Sequence, residues 1–490
     1  MTTTATPTPD LQAITATDLE DLVRRQRAAF RAEGIASAET RIGRIDRLLL
    51  AVVKHSADLA ASLDSEYGSR PPALTKALDV LPSVGAAAEL REGIEEWMKP
   101  EVVAGGYVQK RPLGVVGVVG AWNFPLELTI HPAIDALAAG NRVIIKFPDF
   151  HPRTGAILAA AVAEYLPPEE VAVVVGDLET AQRFSELDLD HLIFTGSPAV
   201  GRKVAEAAAR NLVPTTLELG GKNPVVISPS ADLDLAAHRV AGTRLLNAGQ
   251  VCLCPDYVFV PSALEGAFLE KLAAEIRAVS PRPASAAGVV SIVNERNHSR
   301  VLRLVEDALS KGAERVDLTD PGTDVGSSTT SRRIDPTILR RVPADALIAD
   351  EEIFGPVLPV YTYDDLDEVI DYIGARPAPL GAYWFGSDDD ELRKFLEFTT
   401  SGGVTVNDAI AHGFLPGTPF GGVGQLRDRR LPREGRFRSP LPSPDRRGRD
   451  DRCRAVRWSG RPDTRIGRVR GGGRRTDRCG AAGSTDTCRG

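Results

Sequence analysis

At 490 residues with 43% apolar side chains, the chain is too long for one ordinary core and too apolar for a disordered polymer, so two or more globular domains are expected. Its formal charge is −7, no apolar run reaches the roughly 18 residues of a membrane span, and MTTTATPTPD carries the marks of neither a secretory signal nor a transit peptide. A soluble cytoplasmic protein with no membrane or nucleic-acid partner is the expectation.

In chain order, TDLEDLVRRQRAAF reads as an amphipathic helix, and residues 37–67 read as a second, in which Ile42, Ile45, Leu49, Val52, Leu59 and Leu63 recur near a 3.5-residue period. Gly68 is its expected stop. From residue 113 the apolar, β-branched runs VVGVVG, RVIIKF, VAVVVG and HLIF alternate with helical patterns such as PAIDALAAG and GAILAAAVAEYL. Alternating βα units with fully apolar strands predict a parallel sheet covered on both faces, with ligands at the carboxyl ends of its strands. A second series, beginning with TLELGG and PVVIS and running to about residue 420, is long enough for a second α/β domain.

After Gly424 the composition changes. Residues 425–490 hold twenty arginines, eight acids and no lysine, a net +12 that leaves the preceding 424 residues at −19. A basic nucleic-acid-binding arm would need aromatic interleaving beyond Phe437 and Trp458. A disordered tail is a second reading; an out-of-frame translation of a GC-rich gene accounts best for arginine, glycine, proline and serine without lysine.

Five cysteines are present and only Cys252 and Cys254 precede residue 453, which excludes a disulfide framework in the body. The seven histidines form no spaced cluster with them, so no metal is expected. HLIF runs into TGSPAVGRKVAEAAARN, where Gly196 offers a tight turn, Ser197 an N-cap and Pro198 a first helical residue; such a helix N-terminus suits a pyrophosphate, or is an ordinary βα turn. Lys146 ends a buried strand and needs solvent or a partner, while Asp149 lies where an acid could hold ribose hydroxyls. Glu218, between Leu217 and Leu219, alternates to the opposite strand face and suits a general base if partly buried. Cys252 follows Gly249, which allows close backbone approach; Cys254 precedes Pro255 and an apolar strand. Local chemistry favours Cys252 as a reactive thiol only slightly, since either is suited to a small core position.

The series AWNFPL, VIIKFPDF, FTGSPAVGR, LELGGKNP, NAGQVCLCPDY, EEIFGPVLP and PFGGVG, in this order over residues 15–424, resembles the NAD(P)-dependent aldehyde dehydrogenase superfamily. WMKP, LPPEEVAVVVGD and CLCPDY are most similar to its coniferyl aldehyde dehydrogenase, class 3-like branch. The resemblance implies an α/β protein with a Rossmann-like parallel-sheet cofactor domain (1–98 and 115–218), a small β-hairpin assembly element (99–114) and a second α/β catalytic domain (219–424), before the Arg-rich tail (425–490). It implies Cys252 as nucleophile, Glu218 as base and Asn123 as oxyanion donor together with the Cys252 backbone N–H. Lys146 and Asp149 would face the adenosine ribose, Gly196, Ser197 and Gly201 the pyrophosphate side, and Glu352 and Phe354 the nicotinamide ribose.

Where the family has a glutamate, Asp149 is one methylene shorter, and an acid there favours NAD over NADP. After PFGGVG the family's serine-glycine segment, histidine-glycine segment and terminal assembly strand do not follow, which agrees with an out-of-frame tail and bears on the homodimer that the resemblance implies. The implied activity is oxidation of an aromatic or aliphatic aldehyde to its acid. Alternatives are a CoA-acylating relative, or a binding-only product lacking the family terminus. Positions such as His412 and Phe414, expected near the substrate entrance, do not select among aldehydes.

Overall fold

The computed structural model describes residues 16–280, 288–318, 331–415, 418, 420–423 and 454–456. The expectations for the N-terminal peptide and for almost all of the tail fall outside the described residues.

Helices α1 (Ala16–Glu33), α2 (Ala38–Lys54) and α3 (Ser56–Tyr67) come first. Residues 37–67 therefore form two helices rather than the one expected. At His55 the backbone leaves the helical region (φ −97°, ψ 10°), and the bend lets Leu48, Leu49 and Val52 of α2 and Leu59, Leu63 and Tyr67 of α3 enter the same core. Gly68 ends α3 in the left-handed conformation (φ 80°), as its position predicts. A short turn α4 (Pro72–Thr75) and one π turn (Lys76–Val80) lead into α5 (Leu81–Trp97). The hairpin of β1 (Glu101–Val103) and β2 (Gly106–Val108) follows, with all six residues exposed.

The first sheet is wholly parallel. β3 (Val115–Val119), β4 (Arg142–Lys146), β5 (Val171–Val174), β6 (His191–Gly196) and β7 (Thr215–Leu219) lie in the order β5-β4-β3-β6-β7. They are linked by α6 (Glu127–Ala138), α7 (Pro152–Tyr165), α8 (Leu178–Ser185) and α9 (Pro198–Ala209). Strand order reverses between β3 and β6, which opens a crevice at their carboxyl ends. TLELGG, read as the start of the second series, is β7 and closes the edge of the first sheet: Leu192 to Gly196 of β6 take Thr215 to Leu219 as partners. A strand's own residues do not say which sheet supplies its neighbour.

Three residues after β7 the second sheet begins with β8 (Asn223–Ile227). Helix α10 (Leu233–Leu245), β9 (Pro255–Pro261), α11 (Glu265–Val279), α12 (Glu295–Ser310), β10 (Glu314–Arg315), β11 (Thr337–Arg340), α13 (Leu347–Asp350), β12 (Val357–Tyr363), α14 (Leu366–Gly374), β13 (Ala382–Phe385), α15 (Asp389–Phe398) and β14 (Val404–Val406) follow. Its order is β10-β11-β12-β9-β8-β13-β14, with Arg454–Val456 (β15) pairing antiparallel to β14. No helix among the described residues is long and apolar enough to cross a membrane.

One apolar layer joins α2, α3, α5, α6 and α7 to the first sheet. The layer on its other face, from α1, α8 and α9, continues into Val251, Leu253 and Cys254. That continuity sets the segment leading into β9 against the carboxyl ends of β6 and β7.

Candidate active site

After α10 the chain makes a tight turn in which Asn247, Ala248 and Gly249 are all left-handed, with φ of 49°, 55° and 75°. Two non-glycine residues in that region cost about 1 to 3 kcal/mol each, so the surroundings must hold them. Gln250, fully buried, does so: its Nε2 donates to Asn247 O (2.9 Å) and Ser291 O (3.1 Å), and its Oε1 accepts from Val293 N (2.9 Å). A Cβ on Gly249 would run into the carbonyl oxygen of Gly355, so the close backbone approach expected from this glycine is present.

The two cysteines leave this turn in different environments. Cys254 is 3% exposed, packed in the apolar layer, with Arg244 Nη1 3.5 Å from its sulfur and its thiol directed at the Thr243 carbonyl, also at 3.5 Å. Burial pushes its thiol up to about 11. Cys252 is half-buried at the amino end of β9, its carbonyl accepting from Asn223 Nδ2 at 2.8 Å. Burial first, then the carboxylates of Glu352 and Glu218, push the Cys252 thiol up to about 12, while the Leu253 and Cys252 N–H groups pull the other way. Both glutamates therefore bear on one sulfur.

Glu218, near the end of β7, is half-buried with its carboxylate against Gly421; a Cβ there would stand 2.7 Å from Oε1. Glu352 approaches from the loop before β12 and lies over Gly220, whose Cβ would stand 2.5 Å from Oε2. The Gly221 N–H bonds to it, yet burial, reinforced by Asp256, raises its carboxyl to about 8 against the pull of Lys222 and Arg300. Asn123, just beyond β3, is buried, and its Nδ2 donates to Gln250 O at 3.1 Å. In return Asn247 Nδ2 donates to Asn123 O at 3.1 Å, bracing one loop on the other.

At the switch point, Ser197 caps α9, its Oγ accepting from Val200 N at 3.4 Å, with Pro198 in the first turn as the sequence predicts. Gly196 ends β6 directly before this cap. Gly201 faces inward: a Cβ would stand 2.7 Å from Leu219 Cδ2, so this glycine lets α9 pack closely on β7. Lys146 is 1% exposed and meets the need for a partner by donating to Phe147 O (2.7 Å) and Gly176 O (3.0 Å). Burial lowers its pKa, opposed by Asp149 and Asp177. Asp149 is exposed beside it. Phe354 takes a left-handed backbone (φ 50°) and stacks edge-on against Trp122 at 5.3 Å. His412 is buried, its Nδ1 2.7 Å from Thr405 Oγ1; Phe414 is exposed.

Sequence reasoning gave no role to the groups that fix the Glu352 loop. Lys222 Nζ reaches Asp256 Oδ2 (2.5 Å), Ile348 O and Glu351 O (both 3.0 Å). Asp256 accepts from Ile353 N (3.0 Å), Arg300 donates to Glu352 O (2.9 Å) and Ile353 O (2.6 Å), and Arg244 donates to Gly355 O. Lys222 of LELGGK and Asp256 of CPDY stand inside quoted motifs, the only signal available. No group of three or more potential metal ligands occurs among the described residues.

Residues 2–426 match the profile described as Aldehyde dehydrogenase family. The chain is 43% identical over 417 residues to a protein of Caulobacter vibrioides named probable coniferyl aldehyde dehydrogenase, covering 83% of this chain and 86% of that one. It is 39% identical over 415 residues to the coniferyl aldehyde dehydrogenase of a Pseudomonas species (84% and 86% covered), and 36% identical over 342 residues to the dimeric NADP-preferring aldehyde dehydrogenase of Mus musculus (68% and 73% covered). Among solved structures, substrate-bound Staphylococcus aureus AldH superposes with a TM-score of 0.79 at 28% identity (87% of this chain, 95% of that one). A Mycobacterium tuberculosis aldehyde dehydrogenase complexed with NAD+ gives 0.75 at 28% identity (85% and 87%). The chain belongs to the aldehyde dehydrogenase family, enzymes that oxidise aldehydes to carboxylic acids with NAD(P)+.

Proposed function

We propose that Cys252 is the nucleophile of this oxidation, with Asn123 and the Cys252 N–H as oxyanion donors and Glu218 as the base that activates water. The observation that carries this reading is that half-buried Cys252 leaves a turn bonded to Asn123 through Gln250, where the charges of Glu218 and Glu352 both act on its sulfur, while Cys254 is sealed in the core. The Cys252 thiol loses its proton to solvent, the thiolate adds to the aldehyde carbon, and the carbonyl π pair moves to oxygen. Donors aimed at that oxygen are typically worth about 3 to 4 kcal/mol. Bound NAD(P)+ supplies the hydride acceptor and a cationic ring. Oxidation leaves an acyl thioester on Cys252; Glu218 takes a proton from water, the hydroxide adds to the thioester carbon, and the thiolate departs.

The donor set at the switch point suits a dinucleotide. The first turn of α9 with Ser197 would receive the pyrophosphate, Lys146 and Asp149 the adenosine ribose, and Glu352 with Phe354 the nicotinamide side. Gly201 acts by letting α9 approach β7. Asp149 disfavours a 2′-phosphate, so NAD is the preferred form.

The substrate is an aromatic aldehyde of the coniferyl type. Two relatives bearing that name support it, as do half-buried Phe124, Leu246, Ile410 and Phe420, which flank the same apolar layer as Cys252. The chain assembles as a homodimer through the β1–β2 hairpin, whose Val102 and Tyr107 are 86% and 66% exposed on a ribbon too small to stand alone. Assaying NADH formation from coniferyl aldehyde tests the core of the proposal: Cys252→Ala abolishes it and Cys254→Ala preserves it, and equal loss in both refutes the assignment.

A further inference from the structure

Several buried groups outside the proposed chemistry converge on the backbone of Trp122 and Asn123. Tyr67, the last residue of α3, donates its hydroxyl to Trp122 O at 2.7 Å and lies 3.3 Å from Asn123 O. His151, fully buried, places Nε2 3.0 Å from the same Trp122 carbonyl, and its ring stacks on Tyr67 at 4.9 Å and 18°. A carbonyl only accepts, so Nε2 carries the proton and donates. Behind Tyr67, Arg70 and Asp79 are both fully buried and paired at 2.6 Å, with the guanidinium 5.1 Å from the Tyr67 ring centre. The π turn within the helical run 72–97 is what brings Asp79 inside, where its Oδ1 accepts from Leu126 N at 3.1 Å. That bond serves the start of α6, which has no side-chain cap of its own.

We infer that Tyr67 is a positioning residue for the oxyanion donor Asn123, its hydroxyl fixing the 122–123 peptide so that the side-chain amide points at the substrate oxygen. One amide N–H of Asn123 is committed to Gln250 O. The direction of the other follows from the backbone, where the Trp122 carbonyl accepts from Tyr67 and His151 and the Asn123 carbonyl from Asn247. Small errors of aim weaken oxyanion stabilisation steeply.

The inference rests on Asn123 being that donor, and a double-mutant cycle separates the two. With NAD+ and coniferyl aldehyde, Tyr67→Phe is expected to lower kcat about five- to tenfold, the scale of one hydrogen bond, with KM for NAD+ unchanged. Asn123→Ala lowers it about a hundredfold or more. In the Asn123→Ala background, Tyr67→Phe should change the rate by less than about twofold, because its effect passes through the amide already removed. Full multiplication of the two losses, or a Tyr67→Phe rate within twofold of the parent while Asn123→Ala is impaired, overturns the positioning role alone. An unimpaired Asn123→Ala enzyme overturns the donor assignment and the inference with it. Should Tyr67→Phe not yield folded protein, His151→Phe removes the second donor to the same carbonyl and carries the same expected and overturning results.

Discussion

Asn123 and Gln250 are bonded across the seam between the two sheets, the side-chain amide of the first donating to the main-chain carbonyl of the second at 3.1 Å. The bond ties the carboxyl end of β3 to the turn that presents Cys252. Gln250 can serve because the residues before it accept left-handed backbone, which in turn depends on Gly249. Gly249→Ala is therefore expected to remove about 2 kcal/mol or more of stability, since its φ of 75° and the facing Gly355 carbonyl both exclude a side chain. Urea unfolding reads the loss, and NADH formation should fall with it.

Burial first, then Glu352 and Glu218, hold the Cys252 thiol high, with Glu352 the larger of the two charge effects. Removing a neighbouring negative charge favours the thiolate. Glu352→Gln should alkylate with iodoacetamide at pH 8 about three- to tenfold faster than the parent, and Glu218→Gln faster by a smaller factor. Parent-like rates in both variants would remove the carboxylates from the sulfur's surroundings.

Lys222 and Asp256 are nearly excluded from water and bonded at 2.5 Å. Lys222→Ala leaves Asp256 with the Ile353 N–H and the more distant Arg244 cation at 3.5 Å, and a buried carboxylate short of its nearest charged partner costs about 3 kcal/mol. Calorimetry should show the lower unfolding temperature. KM for NAD+ should rise as the Glu352 loop loosens.

His151 is neutral in the fold because burial lowers it to about 4 from an ordinary 6.5. Its contribution is complete above 6.5, where neither state is protonated, and is lost as pH falls toward 4, because the unfolded chain takes up the proton first. Subtracting the stability of His151→Phe from that of the parent at each pH isolates it. The difference should decline by about 3 kcal/mol from pH 7 to pH 4. A flat difference would mean the imidazole is charged or exposed in the native protein.

Much of the first sheet was legible because β3, β4 and β6 are short apolar runs bounded by glycine, proline or polar turns, and a buried parallel strand has no other way to be written. The Ser197 cap and the Gly68 stop were legible for the same local reason. The break at His55 was not, since the apolar period continues through it and the bend answers to the sheet beneath. Nor was the membership of β7, whose pairing with β6 is a long-range choice. The supports of the site were least legible: Lys222 finds its carbonyl partners 126 and 129 residues away, Tyr67 meets Trp122 55 residues on, and Gln250 meets Val293 43 residues on. Local chemistry separated Cys252 from Cys254 only slightly and the resemblance chose Cys252; packing adds the charges of Glu352 and Glu218 at one sulfur and Arg244 at the other.

The most direct test is to trap the acyl enzyme. Glu218→Gln, which retains the proposed nucleophile but lacks the proposed base for thioester hydrolysis, is mixed with coniferyl aldehyde and NAD+, quenched in acid, and the peptide containing both cysteines is sequenced by fragmentation mass spectrometry. The acyl mass should lie on Cys252 and accumulate to near one per chain, with Cys254 unmodified. An adduct on Cys254, or turnover at the parent rate with no adduct at all, would contradict the assignment of nucleophile and base.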